Sequence, residues 1–292
     1  MSKQTIVWTD GDLDGAASFL VLSWYNPGIN LIPRVCTGAK LRECYLAWLQ
    51  TNKASDYEKI FILDLDTTDI ADLVDNANVI IFDHHKTHIA QAANYKHCKA
   101  IVKDCKSTAQ LIHETFKAKK DVLTTQQKML VALTSDYDSG TNSLKQSQEL
   151  NNIFWTLQGN RVIEFSKEFQ TGFNGFSKQQ QMALAVHASK VKNILNDLKL
   201  YKGKINQHKC IATFCNTCHS EVSQHLFETT DADILMLVNV ERETVSFRRS
   251  KTCTADVSLL AQKLCEGGGH EQAAGGKLTQ TFINFTQTLQ PV

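Results

Sequence analysis

Short apolar runs rich in β-branched residues alternate along this chain with longer stretches whose apolar positions recur at helical spacing. Residues 5–9 form the first run and 16–25 the first helix; 29–36 is a second strand, and 40–51 a helix carrying Leu41, Tyr45, Trp48 and Leu49 on one face. Residues 58–63 and 78–82 are two more runs. Their continuous apolar character implies strands covered on both faces, as in a parallel sheet. A short strand over 99–103 and helices over 109–117 and 124–135 complete this half. From 142 to about 201 the pattern is helical and ends in a long amphipathic stretch, 179–200, suited to a connector, with Gly203 as the boundary. Strand and helix then alternate again over 209–214, 220–227, 233–240, 244–249 and 255–265. The expected fold is α/β: an N-terminal parallel-sheet domain with a helical extension over 1–177, a linker helix over 178–202 and a smaller α/β domain over 203–292.

Composition narrows the partners. Thirty-one Lys and Arg against thirty Asp and Glu leave a formal charge of +1 over 292 residues, so no global field announces a long nucleic acid. Lys86, Lys103, Lys106, Arg248, Arg249 and Lys251 are either a local basic groove or ordinary surface. Nine cysteines, no apolar leader after Met1 and no run long enough to span a bilayer imply a reduced, cytoplasmic protein without a membrane partner. Cys215 and Cys218 spell C-x-x-C; with no second such pair, ordinary thiols are preferred to a zinc or redox role.

The chemistry gathers where strands end. The first strand runs into Asp10-Gly11-Asp12-Leu13-Asp14-Gly15, the third into Asp64-Leu65-Asp66, and the fourth into Asp83-His84-His85. An acidic helix cap accounts for one aspartate; three at alternate positions repel one another unless cations sit among them. Carboxylate oxygens suit hard divalent ions, and the crevice beyond the carboxyl ends of parallel strands is where ligands bind. Asp136 and Asp138, at the end of a helix, oppose its dipole and also ask for a cation. Ser107 and Thr108 cap the helix 109–117, whose N-terminus is a candidate phosphate contact. Gly267, Gly268, Gly269 and His270 read as glycines opening a helix against an anion, with a bare turn as the alternative.

The ordered set D-x-D-x-D-G, strand-D, D-H-H and T-S-D-Y-D over about residues 5–140 resembles the four motifs of the DHH phosphoesterase superfamily. G-G-G-H-x-x-A-A-G resembles the signature of the C-terminal domain associated with it, and S-F-R-R-S the arginine strand of that domain, which implies that Arg248 or Arg249 clamps a terminal phosphate through a bidentate fork, with a solvated strand end as the alternative. The resemblance implies two divalent ions, usually manganese. Asp12 would hold one and Asp14 the other; Asp64 would bridge them; His84 and Asp136 would complete the second; Asp83 would orient His84 and His85 would face the scissile phosphate. The family generally has a histidine ahead of the two aspartates of its first motif; Asp10 is the substitute ligand here, and an all-oxygen site brings in magnesium as the alternative. Between Asp136 and Asp138 the motif does not decide, and Asp136 is favoured.

The implied activity is trimming of nucleotides from short single-stranded RNA or DNA, from the 5′ end, by a monomer or homodimer resembling oligoribonuclease and RecJ-type cores. The chain has no room for the added oligonucleotide-binding barrel of RecJ-type enzymes, which favours short substrates. A phosphatase of adenosine bisphosphate and a hydrolase of cyclic or linear dinucleotides are the alternatives, and a non-hydrolytic nucleotide sensor is the alternative from another class.

Overall fold

The computed structural model describes residues 3–292, which divide into two compact units, one ending at Leu184 and the other Ala185–Val292. The first holds β1 (Thr5–Asp10), α1 (Leu13–Tyr25), β2 (Leu31–Cys36), α2 (Leu41–Leu49), β3 (Lys59–Leu63), α3 (Ala71–Val74) and β4 (Val79–Asp83). It continues with α4 (Lys86–Gln91), β5 (Lys99–Val102), α5 (Thr108–Lys117), α6 (Thr125–Asp138), α7 (Lys145–Thr156), α8 (Arg161–Glu168) and the opening of α9 (Lys178–Asn196). Its five strands are all parallel, in the order β2-β1-β3-β4-β5. The chain leaves β1 toward one edge and returns on its other side as β3, so the carboxyl ends of β1 and β3 flank the topological switch point of the sheet.

The continuous apolar runs are covered on both faces. Val7, Phe61, Leu63 and Phe82 pack into one core with residues of α1, α5, α6, α7 and α8. Ile6, Trp8, Ile60, Ile62 and Ile81 pack into the other with Leu41, Tyr45 and Trp48 of α2. The Trp8 ring lies 5.5 Å from that of Tyr45 and 6.0 Å from that of Trp48. Each large apolar side chain buried this way contributes roughly 1.5–3 kcal/mol, which anchors β1 and the acidic turn that follows it. At Gly15 a Cβ would land on the backbone of Asp10, so only glycine lets α1 begin this close to the end of β1.

The second unit holds the rest of α9, then β6 (Leu200–Ile205), β7 (His208–Phe214), α10 (His219–Thr229), β8 (Ile234–Asn239) and β9 (Thr244–Arg249). It ends with α11 (Val257–Cys265), β10 (Gly268–His270), β11 (Ala273–Lys277), α12 (Gln280–Thr286) and β12 (Gln290–Pro291). One sheet runs β10-β11-β9-β8-β7-β6-β12, antiparallel except for β7 beside β8. The mixed α/β architecture read from the sequence is present in both units.

Two local expectations are corrected. The connector helix stops at Asn196, and Gly203 lies inside β6 opposite Cys210 rather than at a boundary. Most of β6 is only half-buried, so its weak pattern merged with the amphipathic helix before it. The glycine run does not open a helix: β10 and β11 pair as an antiparallel hairpin. A Cβ on Gly267 would strike the backbone of Gly275 and Gly276, and one on Gly276 the carbonyl of Cys265, so these glycines serve close strand packing. The side chain of His270 lies outside the described residues. Among the described residues no helix is long and apolar enough to cross a membrane.

Candidate active site

Three parallel strands deliver their last residues to one edge of the first sheet: β1 delivers Asp10, β3 Asp64 just beyond Leu63, and β4 Asp83 with His84 and His85 following. Asp64 adopts φ +59°, a left-handed conformation that costs a non-glycine residue on the order of 1 kcal/mol and turns its carboxylate across the strand ends. Asp12 caps α1 by accepting from the Gly15 amide at 2.9 Å. Asp14, in the first turn of the same helix, is buried, and its two oxygens accept from the Thr108 and Ala109 amides at 2.6 and 3.0 Å. The N-terminus of α5 therefore holds a carboxylate of the protein itself.

That observation corrects one expected substrate contact. Ser107 and Thr108 are fully buried; Ser107 Oγ lies 2.8 Å from Ser135 Oγ, and Thr108 Oγ1 donates to Asp64 Oδ1 at 3.1 Å. Thr108 thus positions the carboxylates of Asp14 and Asp64, and Ser107 caps α5 by accepting from the Gln110 amide at 3.1 Å.

His84 is its hub. Nε2 lies 3.2 Å from Asp138 Oδ2, 3.5 Å from Asp64 Oδ1 and 3.8 Å from Asp14 Oδ2. Nδ1 lies 3.1 Å from the Cys105 carbonyl, which can only accept, so Nδ1 carries a proton and Nε2 is the nitrogen turned toward the carboxylate cluster. Two overlapping groups, Asp14 with His84 and Asp138, and Asp64 with His84 and His85, each place their ligand atoms within 4.8 Å of one another. Asp12 borders this cluster electrostatically, repelling Asp14, Asp64 and Asp138, and it repels Asp10 as well.

Two expected roles change. Asp136 does not join the cluster. Its oxygens accept from the Ser143 amide and hydroxyl, the Leu144 amide and the Ser147 hydroxyl at 2.6–3.0 Å, clamping the start of α7. Burial opposes its ionisation, but these donors hold its carboxyl down at about 2. Asp138, two residues on, faces the site instead, because residues at i and i+2 lie on different sides of a helix. Likewise Asp83 does not orient His84. It accepts from Nδ1 of His85 at 2.7 Å and from Nδ1 of the buried His88 at 2.7 Å, and His88 Nε2 meets Tyr95 OH at 2.7 Å and Thr67 Oγ1 at 3.1 Å. The sequence reading passed over His88, Thr67, Tyr95 and the Cys105 carbonyl; the one available signal was a third histidine three residues after the pair.

The electrostatics fit a cation site. Burial, then repulsion among the aspartates, raises the carboxyls of Asp14 and Asp64 and pushes Asp138 up to about 8. Burial and Asp12 push Asp10 up to about 6, although the Gly11 and Gly38 amides oppose this. Such a set is stabilised by positive charge placed among its oxygens. A donor set of carboxylates and one neutral imidazole nitrogen suits a divalent ion of manganese or magnesium type. Next to it, the hydrogen bond that His85 donates to Asp83 pushes its ring up to about 9, so that it is a cation at neutral pH. Asp83 itself is held well below the usual carboxylate range because the bonds from His85 and His88 outweigh its burial.

The other expected contacts belong to the second unit. Arg248 Nη1 donates to the Phe247 carbonyl at 2.9 Å; Arg249 Nη1 donates to the Ala255 carbonyl at 3.1 Å, and its Nη2 lies 3.6 Å from Glu271. Gly267 precedes β10, and Gly268 and Gly269 lie within it. Lys251 of that unit is exposed, as are Lys86, Lys103 and Lys106 of the first.

Residues 4–135 match the model of the DHH family, N-terminal domain. A comparison with curated protein sequences returned no match. Among solved structures, the chain is similar to PggH, a pGpG-specific phosphodiesterase from Vibrio cholerae, at 13% identity over 98% of this chain and 96% of that one, with a TM-score of 0.61. It is similar to the exonuclease RecJ bound to manganese at 14% identity over 98% and 88%, TM-score 0.55, and to an exopolyphosphatase-related protein from Bacteroides fragilis at 14% over 98% and 93%, TM-score 0.50. At these identities the likenesses speak for the fold. The strand-end aspartates and the Asp-His-His turn all fall within the segment that is similar to the DHH family, N-terminal domain.

Proposed function

We propose that this chain is a divalent-metal-dependent phosphoesterase that releases nucleoside monophosphates from short single-stranded oligonucleotides, from the 5′ end. The observation that carries the reading is the partly buried cluster at the sheet's switch point, where His84 Nε2 lies within 3.8 Å of Asp14, Asp64 and Asp138. The DHH-family match and the fold shared with PggH and RecJ support the same chemistry.

In this reading Asp14, Asp64, His84 and Asp138 hold divalent ions, manganese or magnesium, with Asp10 and Asp12 completing a two-ion set. Bound there, such ions supply Lewis acidity toward a phosphoryl oxygen and a nucleophilic water near neutral pH. The chain's own residues do the rest. Asp83 keeps the Nδ1–H of His85 aligned and the ring charged, so His85 offers a cationic donor to the anionic substrate. His88, fixed by Tyr95 and Thr67, holds the other oxygen of Asp83 and prevents it from swinging away. A cleft of about 440 Å³ in the first unit, lined among others by Lys106, Lys117, Lys128 and Glu114, supports a path for a short anionic strand. Arg248, Arg249 and the Gly267–Gly269 turn with His270 are assigned to phosphate binding in the second unit.

The test is hydrolysis of a 5′-labelled series running from dinucleotides to longer RNA and DNA oligomers, with manganese, magnesium or chelator. Mononucleotides formed only with metal, and lost in Asp64→Ala, support the reading; the length at which the rate peaks separates an oligonucleotide enzyme from a dinucleotide one. Undiminished cleavage in chelator or in Asp64→Ala overturns it, and binding of oligomers without cleavage favours a nucleotide sensor.

A further inference from the structure

Within the second unit, the Cys215–Cys218 pair separates. Cys215 is buried, with its Sγ 2.7 Å from the Thr217 carbonyl. Cys218, half-buried, is the N-cap of α10 at φ +59°, and its Sγ joins a different set of groups. We propose that His187, Cys218 and Glu221 form a zinc site independent of the phosphoesterase cluster. Their ligand atoms, one nitrogen, one sulfur and one oxygen, all lie within 4.8 Å of one another.

The site is assembled by packing. Ile194 and Leu195 of α9 and Val222 and Leu226 of α10 contribute to one apolar cluster on a face of the sheet, which fixes the two helices side by side. Cys218 and Glu221 stand three residues apart at the start of α10 and so share a face. His187, near the middle of α9, meets that face, its Nε2 2.7 Å from Glu221 Oε1. A tetrahedral zinc with bonds of about 2.0–2.3 Å sets its ligand atoms roughly 3.3–3.8 Å apart. The ligand atoms, within 4.8 Å of one another, close by up to about an ångström around the ion, and the His187–Glu221 contact opens by about half an ångström to admit it. Three protein ligands leave a fourth position for water.

The donor chemistry decides the ion. Thiolate and imidazole select a borderline metal, whereas magnesium and calcium take oxygen. The cluster at His84 contains carboxylates and imidazole without sulfur, so the two places sort ions by softness.

Cobalt(II) substitution reads the site directly, because a sulfur-to-cobalt charge-transfer band in the near ultraviolet arises only from a thiolate ligand. Reduced protein titrated with cobalt(II) is expected to develop this band with saturation at one equivalent, to lose it on adding one equivalent of zinc, and to lack it in Cys218→Ser. His187→Gln, a change at a partly exposed residue, is expected to weaken cobalt binding at least tenfold. Cys253→Ser is expected to keep the band; Cys253 with His208 and Asp233 forms the other thiol-containing group of this unit among the described residues. Circular dichroism checks that each variant is folded. No band in the reduced wild-type protein, or a band that survives Cys218→Ser, overturns the site.

Discussion

Asp136 and Asp138 show how two identical side chains two residues apart take opposite work. Asp136 satisfies the amides and hydroxyls at the start of α7, whereas Asp138 faces His84. Asp138→Asn is expected to lower hydrolysis at least about 100-fold while leaving the fold intact. Asp136→Asn is expected to keep metal binding and cost about 1–2 kcal/mol of stability, measured by denaturant unfolding, because buried donors lose a charged acceptor. Asp83 sets the charge of His85 by the same logic. In chelated protein, NMR titration of the His85 ring is expected to give a midpoint near 9, falling toward the ordinary value of about 6.5 in Asp83→Asn. A folded-state value raised in this way stabilises the fold fully below about pH 6.5, and the contribution is lost as pH rises through about 9.

Glycine decides matters between elements. Gly15 permits α1 to start against the end of β1, and that approach aims Asp12 and Asp14 past the strand. Gly15→Ala is expected to cost about 1–3 kcal/mol and to weaken manganese binding, since the added methyl meets backbone that cannot rotate away. Gly38→Ala, where a Cβ meets nothing within 4 Å, is expected to change neither. Thermal melts and metal titration of the two variants, side by side, distinguish a packing requirement from general intolerance of substitution. The same close approach explains the glycine hairpin of the second unit, where β10 lies against β11 and Gly276 against Cys265.

Across the whole molecule the carboxylates of the cluster set the response to pH and metal. Asp10 and Asp138, pushed up to about 6 and about 8, bind protons more tightly in the folded chain than in the unfolded one. Stability therefore falls as pH rises from the unfolded carboxylate value of about 3.9 through the folded values. The Tm of chelated protein is expected to drop between about pH 5 and pH 8, and manganese to restore it most strongly at the upper end while releasing protons. A Tm independent of both pH and manganese would show that the cluster holds no cation.

The parallel sheet, and acidic or imidazole residues at three strand ends, were legible in the sequence because each rests on local pattern: a buried parallel strand is a continuous apolar run, and whatever ends it lies at the ligand-binding edge. Asp14, Asp64 and His84 were placed together by the resemblance of these motifs to the DHH set, and the structure brings them together. The partner of Asp83, the choice between Asp136 and Asp138, and the occupation of the Thr108 amide by Asp14 were not legible, because each depends on how a helix is rotated and on which donors a distant segment supplies. The same holds for His187 beside Cys218 and Glu221, a group separated along the chain and joined only when α9 and α10 pack on one face of the sheet. Periodicity along the chain determined which residues reach the edge of the first sheet; rotation and packing of helices decided which of them meet, since neither is encoded within a window of a few residues.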